Sequence, residues 1–296
     1  MDKIIDGNIL ARKHEDILKE KLNRIRENRN PTVVSFCNQD DPPSVKYTFM
    51  KLQQAQDLGI DFIAEEFSAD TPREYLEKLV KKYAEDSEVD GILVQLPLPE
   101  NLNPFKEDLL NLIPLKKDVD GLVVGSPYLP ATVKAVISIL NSLRHPEPAK
   151  GEARSFQERL VSGSQKEMPN QVRHDNWENQ KIAVVGATGE IGKPLVKLLR
   201  SKGVNLVEIS SSMGSIENDL KNADIIISAV GSENLIRAEM IKEGVILIDV
   251  GLGDFDPGCF KKASLYTPKI GGVGPMTVIS LMENVTEAFF RKLKSS

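Results

Sequence analysis

Short apolar runs alternate with helical segments along most of this chain, and this alternation restricts the possible folds more than any other feature. In the first half the apolar runs lie at residues 32–37, 60–64 and 91–99, with helical patterns between them. Strands that alternate with helices in a sequence usually form a parallel sheet that is covered by helices. The sequence therefore predicts an α/β fold.

A glycine-rich turn begins the second half of this pattern. The apolar run at residues 181–186 leads into Gly186, Gly189 and Gly192 and then into a predicted helix that extends to about residue 201. Backbone N–H groups in such a turn, together with the N-terminus of the helix, can bind a pyrophosphate. Further strands at βαβ spacing are predicted at residues 204–209, 223–230 and 245–250. A Rossmann-like nucleotide-binding domain is the favoured interpretation, and a purely structural glycine turn is the alternative.

A predicted helix at about residues 45–58 is the most informative element of the first half. Two prolines precede it, Ser44 is expected to cap its first N–H groups, and Gly59 is expected to end it.

The two sides of this helix differ in character. At about 100° per residue, Val45, Phe49 and Leu52 form one stripe, which we expect to face the core. Tyr47 and Lys51 lie on the other side. Lys51 is either an ordinary solvated lysine or part of a site.

Other polar residues are placed near this helix by topology. Ligands of open parallel sheets bind beyond the carboxyl ends of the strands, where the run 91–99 and the start of the helix would both arrive. Gln95 is therefore expected close to Lys51. Residues 116–121 form a polar turn with two carboxylates, Asp118 and Asp120, which is either a solvated turn or a part of the same site.

Composition excludes several classes of function. The formal net charge is −5 with no long basic run, which argues against nucleic acid or an anionic membrane surface as the partner. No apolar run approaches the roughly 18 residues that span a bilayer, and no signal core begins the chain, so we expect a cytoplasmic protein. Cys37 and Cys259 are far apart, so neither a disulfide framework nor a metal site is expected. We therefore expect the ligand to be a small molecule.

Residues 144–175 interrupt the regular pattern. The segment is polar, contains prolines and glycines and shows no sustained hydrophobic period. We expect a mobile insertion or linker and assign it no chemistry.

Taken together, these stretches resemble the bifunctional methylenetetrahydrofolate dehydrogenase/methenyltetrahydrofolate cyclohydrolase family, called FolD in bacteria, over nearly the whole chain. Several motifs carry the resemblance, and they occur in the order of the family. They are the segments 3–7 (KIIDG), 42–51 (PPSVKYTFMK), 91–99, 117–121 (KDVDG), the glycine turn with its ending GKP, 248–251 (IDVG) and 271–277 (GGVGPMT).

The resemblance implies two α/β domains with a folate cleft between them. Residues 1–124 and 276–296 would form the catalytic folate-binding domain, and residues 125–275 a Rossmann-like NAD(P)-binding domain with a flexible insertion at about 144–176. The implied activity is oxidation of 5,10-methylenetetrahydrofolate with NAD(P), followed by hydrolysis to 10-formyltetrahydrofolate. The resemblance also implies a homodimer that serves one-carbon metabolism, including purine, methionine and histidine biosynthesis.

The resemblance assigns roles to individual residues. It implies that Lys51 is the catalytic lysine, that Tyr47 and Gln95 lie beside it and that Asp120 holds the pterin ring. Gly272 and Pro275 are implied as further substrate contacts, and no metal is implied. The implied cofactor-binding residues lie in and beyond the glycine turn and are Gly186, Ala187, Thr188, Gly189, Gly192, Ser211 and Leu252.

The cofactor preference is where this sequence departs from the family. Bacterial members usually use NADP, but Ala187 stands where many carry arginine, and Ser210 and Ser212 replace the histidine and basic residue that often follow the second strand. Glu208 lies about 20 residues beyond Gly186, near the place where an acidic residue accepts the ribose 2′-hydroxyl of NAD. An outward-facing strand residue is the alternative for Glu208. We expect NADP as the family cofactor, with NAD used at least comparably.

Three alternatives to the bifunctional enzyme stay open at this point. The departures near the cofactor allow a protein with cyclohydrolase activity alone, or a degenerate member that binds folate without turnover. The glycine turn and the pair Tyr47-x-x-x-Lys51 also look like short-chain dehydrogenase motifs. In that family, however, the glycine turn precedes the Tyr/Lys pair, and here it follows.

Overall fold

The computed structural model describes residues 3–24, 29–143, 177–210 and 216–294. Two parallel sheets, each packed with helices, make up these parts of the chain and confirm the predicted α/β class. The predicted insertion at residues 144–175 lies outside the described residues, and so do Ser211 and Ser212. Among the helices that are described, none combines the length and the apolar character needed to cross a membrane.

The first sheet has three strands with β1 at its centre, in the order β2-β1-β3. Its residues 33–36 pair in parallel with β2 on one side and β3 on the other, and all of them are buried. The elements of this unit are α1 (Gly7–Asn23), β1 (Thr32–Asn38), α2 (Pro42–Leu58), β2 (Asp61–Phe67), α3 (Arg73–Glu85), β3 (Gly91–Val94), α4 (Lys106–Leu110) and α5 (Ala131–Ser142). Because β1 and β3 are parallel neighbours, the start of α2 and the residues after β3 arrive at one edge of the sheet.

The second sheet has five parallel strands in the order β5-β4-β6-β7-β8. Every residue of β4, β6 and β7 is buried, as expected for strands that are covered on both faces. The elements are β4 (Ile182–Val185), α6 (Gly192–Ser201), β5 (Leu206–Ile209), α7 (Glu217–Lys221), β6 (Ile225–Ser228), β7 (Ile246–Asp249), α8 (Pro257–Lys262), β8 (Leu265–Tyr266) and α9 (Val273–Leu293). This topology, with a glycine turn directly after β4, confirms the Rossmann-like prediction.

The long helix α9 returns the chain to the first unit and packs against α1 and α5. The N-terminal residues make the reciprocal connection. Tyr266 donates its backbone N–H to Lys3, Ile5 donates to Tyr266 over 2.8 Å, and Gly7 donates to Gly271 over 2.7 Å. The two units are therefore joined by the return of α9 and by these backbone hydrogen bonds.

The predicted orientation of α2 was wrong. Val45 and Phe49, which were expected to face the core, are 42% and 56% exposed, respectively. The buried positions are Ser44, Thr48, Lys51, Ala55 and Leu58. Since most of these side chains are small or polar, hydrophobicity did not reveal the face on which α2 packs against β1, β2 and α9.

The start of α2 also differs from the prediction. The helix begins at Pro42, and Asp41 rather than Ser44 is its N-cap, since the Asp41 carboxylate accepts the backbone N–H of Ser44 over 2.9 Å. Proline fits the first turn because its missing N–H would have no partner there. The predicted end at Gly59 is confirmed by its left-handed φ of 63°.

Candidate active site

A cavity of about 280 Å³ lies between the two units. Four predicted site residues line it from the side of the first unit, namely Tyr47, Lys51, Gln95 and Asp120. Leu252 and the end of the glycine turn line it from the side of the second unit. The structure thus brings these four residues together with Leu252, whereas the predicted glycine-turn residues Gly186, Ala187, Thr188, Gly189 and Gly192 do not line this cavity.

Lys51 is held by the residue that topology placed beside it. Its Nζ donates to Oε1 of Gln95 over 2.6 Å, while Nε2 of the same amide donates to the backbone carbonyl of Leu96 over 3.0 Å. The backbone N–H of Gln95 donates to the carbonyl of Phe36 at the end of β1, over 2.8 Å. Both ends of the Gln95 amide are therefore used, and its oxygen faces the lysine.

Burial changes the proton affinity of Lys51 and Asp120, which both line the cavity. Lys51 is only 7% exposed, and loss of hydration lowers its pKa, while the carboxylate of Asp120 opposes this change. Burial likewise raises the pKa of Asp120, and Lys51 opposes that shift. A lysine in this setting gives up its proton more easily than an exposed one, which suits an acid–base role.

The turn that carries Asp120 is fixed by buried, hydrogen-bonded side chains and is not a solvated loop. Asp118 is 1% exposed and accepts the backbone N–H groups of Val123 over 2.9 Å and Leu122 over 3.3 Å. Lys117 is also buried and donates to the carbonyls of Tyr83 and Asp86. Asp118 therefore fixes the turn, and Asp120 lines the cavity.

Asn284 of α9 supports the turn that carries Asp120, and its role was not identified from the sequence. Its Nδ2 donates to the carbonyl of Val119 over 2.9 Å and to that of Leu129 over 3.0 Å, and its Oδ1 accepts a hydrogen bond from Lys134. Val119 precedes Asp120 directly. A buried asparagine within an otherwise apolar helix face was the signal that could have revealed it, because such a group needs partners.

Tyr47 lies near Gly274 at the start of α9. A Cβ on Gly274 would come within 3.8 Å of the Tyr47 hydroxyl, and burial raises the pKa of that phenol. Gly272 packs its backbone against Gly7 and Pro268, where a Cβ would collide. The cavity wall here consists of Val273, Gly274 and Thr277, so contacts of Gly272 and Pro275 with a substrate stay predictions.

The glycine turn after β4 has the close backbone packing that a dinucleotide site needs. Gly186 has a φ of 84°, and a Cβ there would lie 2.7 Å from the carbonyl of Ala229. A Cβ on Gly192 would collide with Gly186 across the turn, while Thr188 and Gly189 are exposed. This strand, turn and helix N-terminus fit a pyrophosphate. Ala187 is buried, so its side chain takes no part in the exposed surface of the turn.

Leu252 projects into the cavity from an unusual backbone conformation, with a φ of 65°. Two buried carboxylates that sequence reasoning missed hold its loop. Asp249 accepts the N–H of Gly253 over 2.7 Å, and Asp254 accepts the Ser228 hydroxyl over 2.6 Å. Asp254 also accepts two backbone N–H groups after β6. Burial raises the pKa of Asp249.

Glu208 forms an ion pair with Arg200 of α6. It pairs in register with Val184, and Ile209 is the last residue of β5. The ion pair with Arg200 engages its carboxylate, which favours the alternative of an ordinary strand residue over a ribose ligand.

Comparison with known proteins gives a consistent match over both halves of the chain. Residues 5–120 match the family described as "Tetrahydrofolate dehydrogenase/cyclohydrolase, catalytic domain", and residues 168–293 match "Tetrahydrofolate dehydrogenase/cyclohydrolase, NAD(P)-binding domain". The bifunctional protein FolD of Fusobacterium nucleatum is 34% identical over 97% of both chains.

Solved structures agree with this match. A 5,10-methylenetetrahydrofolate dehydrogenase from the silkworm, Bombyx mori, is 30% identical, with a TM-score of 0.80 over 99% of this chain and 100% of the silkworm chain. The Trypanosoma brucei methylenetetrahydrofolate dehydrogenase-cyclohydrolase, complexed with NADP cofactor and inhibitor, is 26% identical, with a TM-score of 0.78 over 98% of each chain.

Proposed function

The chain belongs to the tetrahydrofolate dehydrogenase/cyclohydrolase family, and we propose that Lys51, Gln95, Tyr47 and Asp120 carry its folate chemistry. The protein is an enzyme that oxidises 5,10-methylenetetrahydrofolate with NAD(P) and hydrolyses the 5,10-methenyl product to 10-formyltetrahydrofolate. The single observation that supports the residue assignment best is the buried Lys51–Gln95 hydrogen bond inside the cavity between the units.

Lys51 has the properties of the group that moves a proton during hydrolysis. Water adds to the cationic methenyl carbon and loses one proton. The resulting hydroxyl group loses its proton as the bond from that carbon to one ring nitrogen breaks, and the nitrogen takes up a proton, so that one proton is released overall. Burial favours the neutral amine of Lys51, which can accept the proton from water and return it to the nitrogen. Gln95 accepts a hydrogen bond from Nζ and thereby fixes where the amine lies.

Asp120 is suited to bind the pterin ring. The pterin presents adjacent N–H donors in one plane, like a guanidine, and a single carboxylate can accept both in a charge-assisted pair. The turn fixed by Asp118 and Asn284 holds Asp120 at the cavity wall. Tyr47 lies one helical turn before Lys51 and offers an aromatic face against which the substrate can stack. Gly272 and Pro275 complete the proposed substrate contacts.

The dinucleotide, when bound, accepts the hydride from the one-carbon bridge of the folate. The residues proposed to hold it are Gly186, Ala187, Thr188, Gly189 and Gly192 of the turn, together with Leu252 and Ser211. The turn supports this assignment by its close backbone packing, and Leu252 does so by lining the cavity. The matched family is described as NAD(P)-binding. We propose NADP as the cofactor, with NAD used at least comparably.

The domain limits derived from the sequence are kept as part of the proposal. Residues 1–124 and 276–296 would form the folate-binding domain, and 125–275 the nucleotide-binding domain. The packing of α9 against α1 supports the inclusion of the C-terminal helix in the first domain. Helix α5 also packs against α9, although these limits place it just beyond the first domain.

The assembly and the cellular role are proposed from the family resemblance. We propose a cytoplasmic homodimer that supplies one-carbon units to purine, methionine and histidine biosynthesis. The edge position of β2 and the exposed side chains of Val45 and Phe49 on α2 would suit a surface between two copies. Sedimentation of the purified protein, compared with a Phe49→Glu variant, tests the dimer.

One set of assays tests the proposed function. The purified protein is given 5,10-methenyltetrahydrofolate alone, and then 5,10-methylenetetrahydrofolate with NAD or NADP. Both reactions should exceed the uncatalysed background. Hydrolysis without oxidation would identify a cyclohydrolase alone, and binding of folate without either reaction would identify a degenerate member.

A further inference from the structure

A second cavity, of about 270 Å³, adjoins the first one. It is lined by Leu96, Pro97, Asn103, Lys106 and Glu190, and it shares Leu96 and Glu190 with the cavity that contains Lys51. Polar groups from both units therefore meet at this place, which the proposed folate site does not use.

An ion pair connects the two units here. Nζ of Lys106, the first residue of α4, donates to Oε1 of Glu190 in the glycine turn. The Glu190 hydrogen bond raises the pKa of Lys106, so the lysine keeps its charge at neutral pH. The lysine side chain is 23% exposed, which leaves its head group accessible from the cavity.

Glu190 is an unexpected residue in a turn that binds phosphate. It lies between Gly189 and Gly192, next to the N-terminus of α6, where backbone N–H groups favour an anionic ligand. A carboxylate at this place repels a diphosphate unless a cation neutralises it. Ala187 brings no charge to the turn, whereas Lys106 reaches the turn from the other unit.

We propose that Lys106 is a cofactor-binding residue, which the folate-binding unit contributes to the diphosphate of the dinucleotide, with Glu190 as its counterion in the free enzyme. The inference rests on the proposed function, since it requires that the glycine turn hold NAD or NADP. An ammonium between a carboxylate and a diphosphate can contact both, because it has three donors. The ion pair thus places a cation of the folate-binding unit beside the turn that is proposed to hold the diphosphate.

The glutamyl carboxylates of the folate are a second source of the same anionic chemistry. Because Lys106 contacts the glycine turn itself, we favour the diphosphate as its ligand. The test distinguishes the diphosphate from the glutamyl carboxylates.

The test measures NAD affinity directly by calorimetry in the absence of folate. Lys106→Met should weaken NAD binding by about tenfold, the typical loss for a charge-assisted contact. Lys106→Arg should restore most of the affinity, and Glu190→Gln should tighten NAD binding. In the Glu190→Gln background, Lys106→Met should again weaken it. Glu107→Gln is a matched control, because that exposed carboxylate lies 3.8 Å from the same lysine but outside the turn.

Three outcomes would overturn the proposal. Unchanged NAD affinity in Lys106→Met would show that the ion pair only joins the units. Loss of affinity that disappears in the Glu190→Gln background would show that Lys106 merely neutralises Glu190. A higher KM for methenyltetrahydrofolate with unchanged NAD affinity would assign the lysine to the glutamyl carboxylates.

Failure of this inference is distinguishable from failure of the proposed function. The wild-type cyclohydrolase reaction is assayed without nucleotide and tests the folate site alone. Lys78→Met, which removes an exposed lysine of α3, controls for the change in net charge in both measurements.

Discussion

Lys51 on α2 and Gln95 at the end of β3 form a 2.6 Å hydrogen bond in which the ammonium donates to the amide oxygen. The two residues are far apart in the chain and come together because β1 and β3 are parallel neighbours. Since the other end of the amide is fixed by Leu96, the lysine has a defined position in the cavity. A fixed and poorly hydrated amine is what proton transfer to a reacting water requires.

Lys51→Met should therefore abolish cyclohydrolase activity, with a loss of at least about 100-fold. The folded protein should remain, and its Tm should change little or rise, because methionine fills a similar volume and removes a buried charge. Lys51 lies on the buried face of α2. Lys46→Met, which changes an exposed lysine of the same helix, is the control. Hydrolysis at the wild-type rate in Lys51→Met would refute the assignment.

The pH dependence of hydrolysis should report the pair formed by Lys51 and Asp120. If the neutral amine is the active form, kcat rises with pH through the lowered pKa of Lys51. The Asp120 carboxylate opposes that lowering, so Asp120→Asn should lower the lysine pKa further and move the acid limb of kcat to lower pH. The profile is recorded at saturating methenyltetrahydrofolate with the uncatalysed rate subtracted. A limb that stays in place or moves to higher pH would exclude Lys51 as the titrating base.

Asp118 and Asp120 offer a matched pair of substitutions. Asp120→Ala should weaken folate binding by about tenfold or more and leave nucleotide binding nearly unchanged, because only the pterin is proposed to use that carboxylate. Asp118→Ala should instead lower the free energy of unfolding by about 2–4 kcal/mol, since it deprives two backbone N–H groups of a buried partner. Calorimetry and thermal unfolding separate the two effects. An equal loss of affinity for folate and for nucleotide in Asp120→Ala would indicate a general folding role.

The sequence predicted the topology and the pairing of Lys51 with Gln95 for a physical reason. Short buried strands alternating with helices allow few sheet arrangements, and residues at the carboxyl ends of neighbouring parallel strands must meet. The prediction of the buried face of α2 was wrong because it was based on hydrophobicity. Ser44 and Thr48 face the core on α2, whereas Phe49 lies on the surface.

Contacts between distant elements could not be predicted in this way. The local pattern does not distinguish Asp118 from Asp120. The family resemblance pointed to Asp120 for the pterin, and the partners of Asp118 after the turn show its structural role. The contacts of Asn284 and Lys106 join elements that are remote in the chain. Nothing local in the sequence specifies such partners.

Deletion of residues 146–174 tests the segment that was predicted to be an insertion. Its flanks are close together, because Nε1 of the buried Trp177 donates to Oδ1 of Asn141 over 3.2 Å. A short flexible linker can therefore connect the ends at small entropic cost. The shortened protein should keep both activities and nearly the same Tm. A collapse of the Tm would show that the segment packs against the rest of the protein.

The final prediction concerns the choice between NAD and NADP, where family resemblance and local chemistry disagree. The 2′-phosphate of NADP usually needs cations near the glycine turn and at the end of the second strand. Ala187 is buried and uncharged, and Arg200 of α6 is paired with Glu208. Because the carboxylate of Glu208 is engaged by Arg200, it gives NAD no direct advantage. We therefore expect weak discrimination between NAD and NADP.

Dehydrogenase assays at matched concentrations should give kcat/KM values for NAD that equal or exceed those for NADP. Arg200→Gln and Glu208→Gln provide the control pair. If Glu208 accepts a hydrogen bond from the ribose 2′-hydroxyl of NAD, Glu208→Gln will shift the ratio of the kcat/KM values toward NADP. If the ion pair is only structural, this ratio will be unchanged in both variants. A strong preference of the wild-type enzyme for NADP would contradict the prediction. It would mean that a basic residue outside this pair, such as Lys193 at the start of α6, reaches the 2′-phosphate.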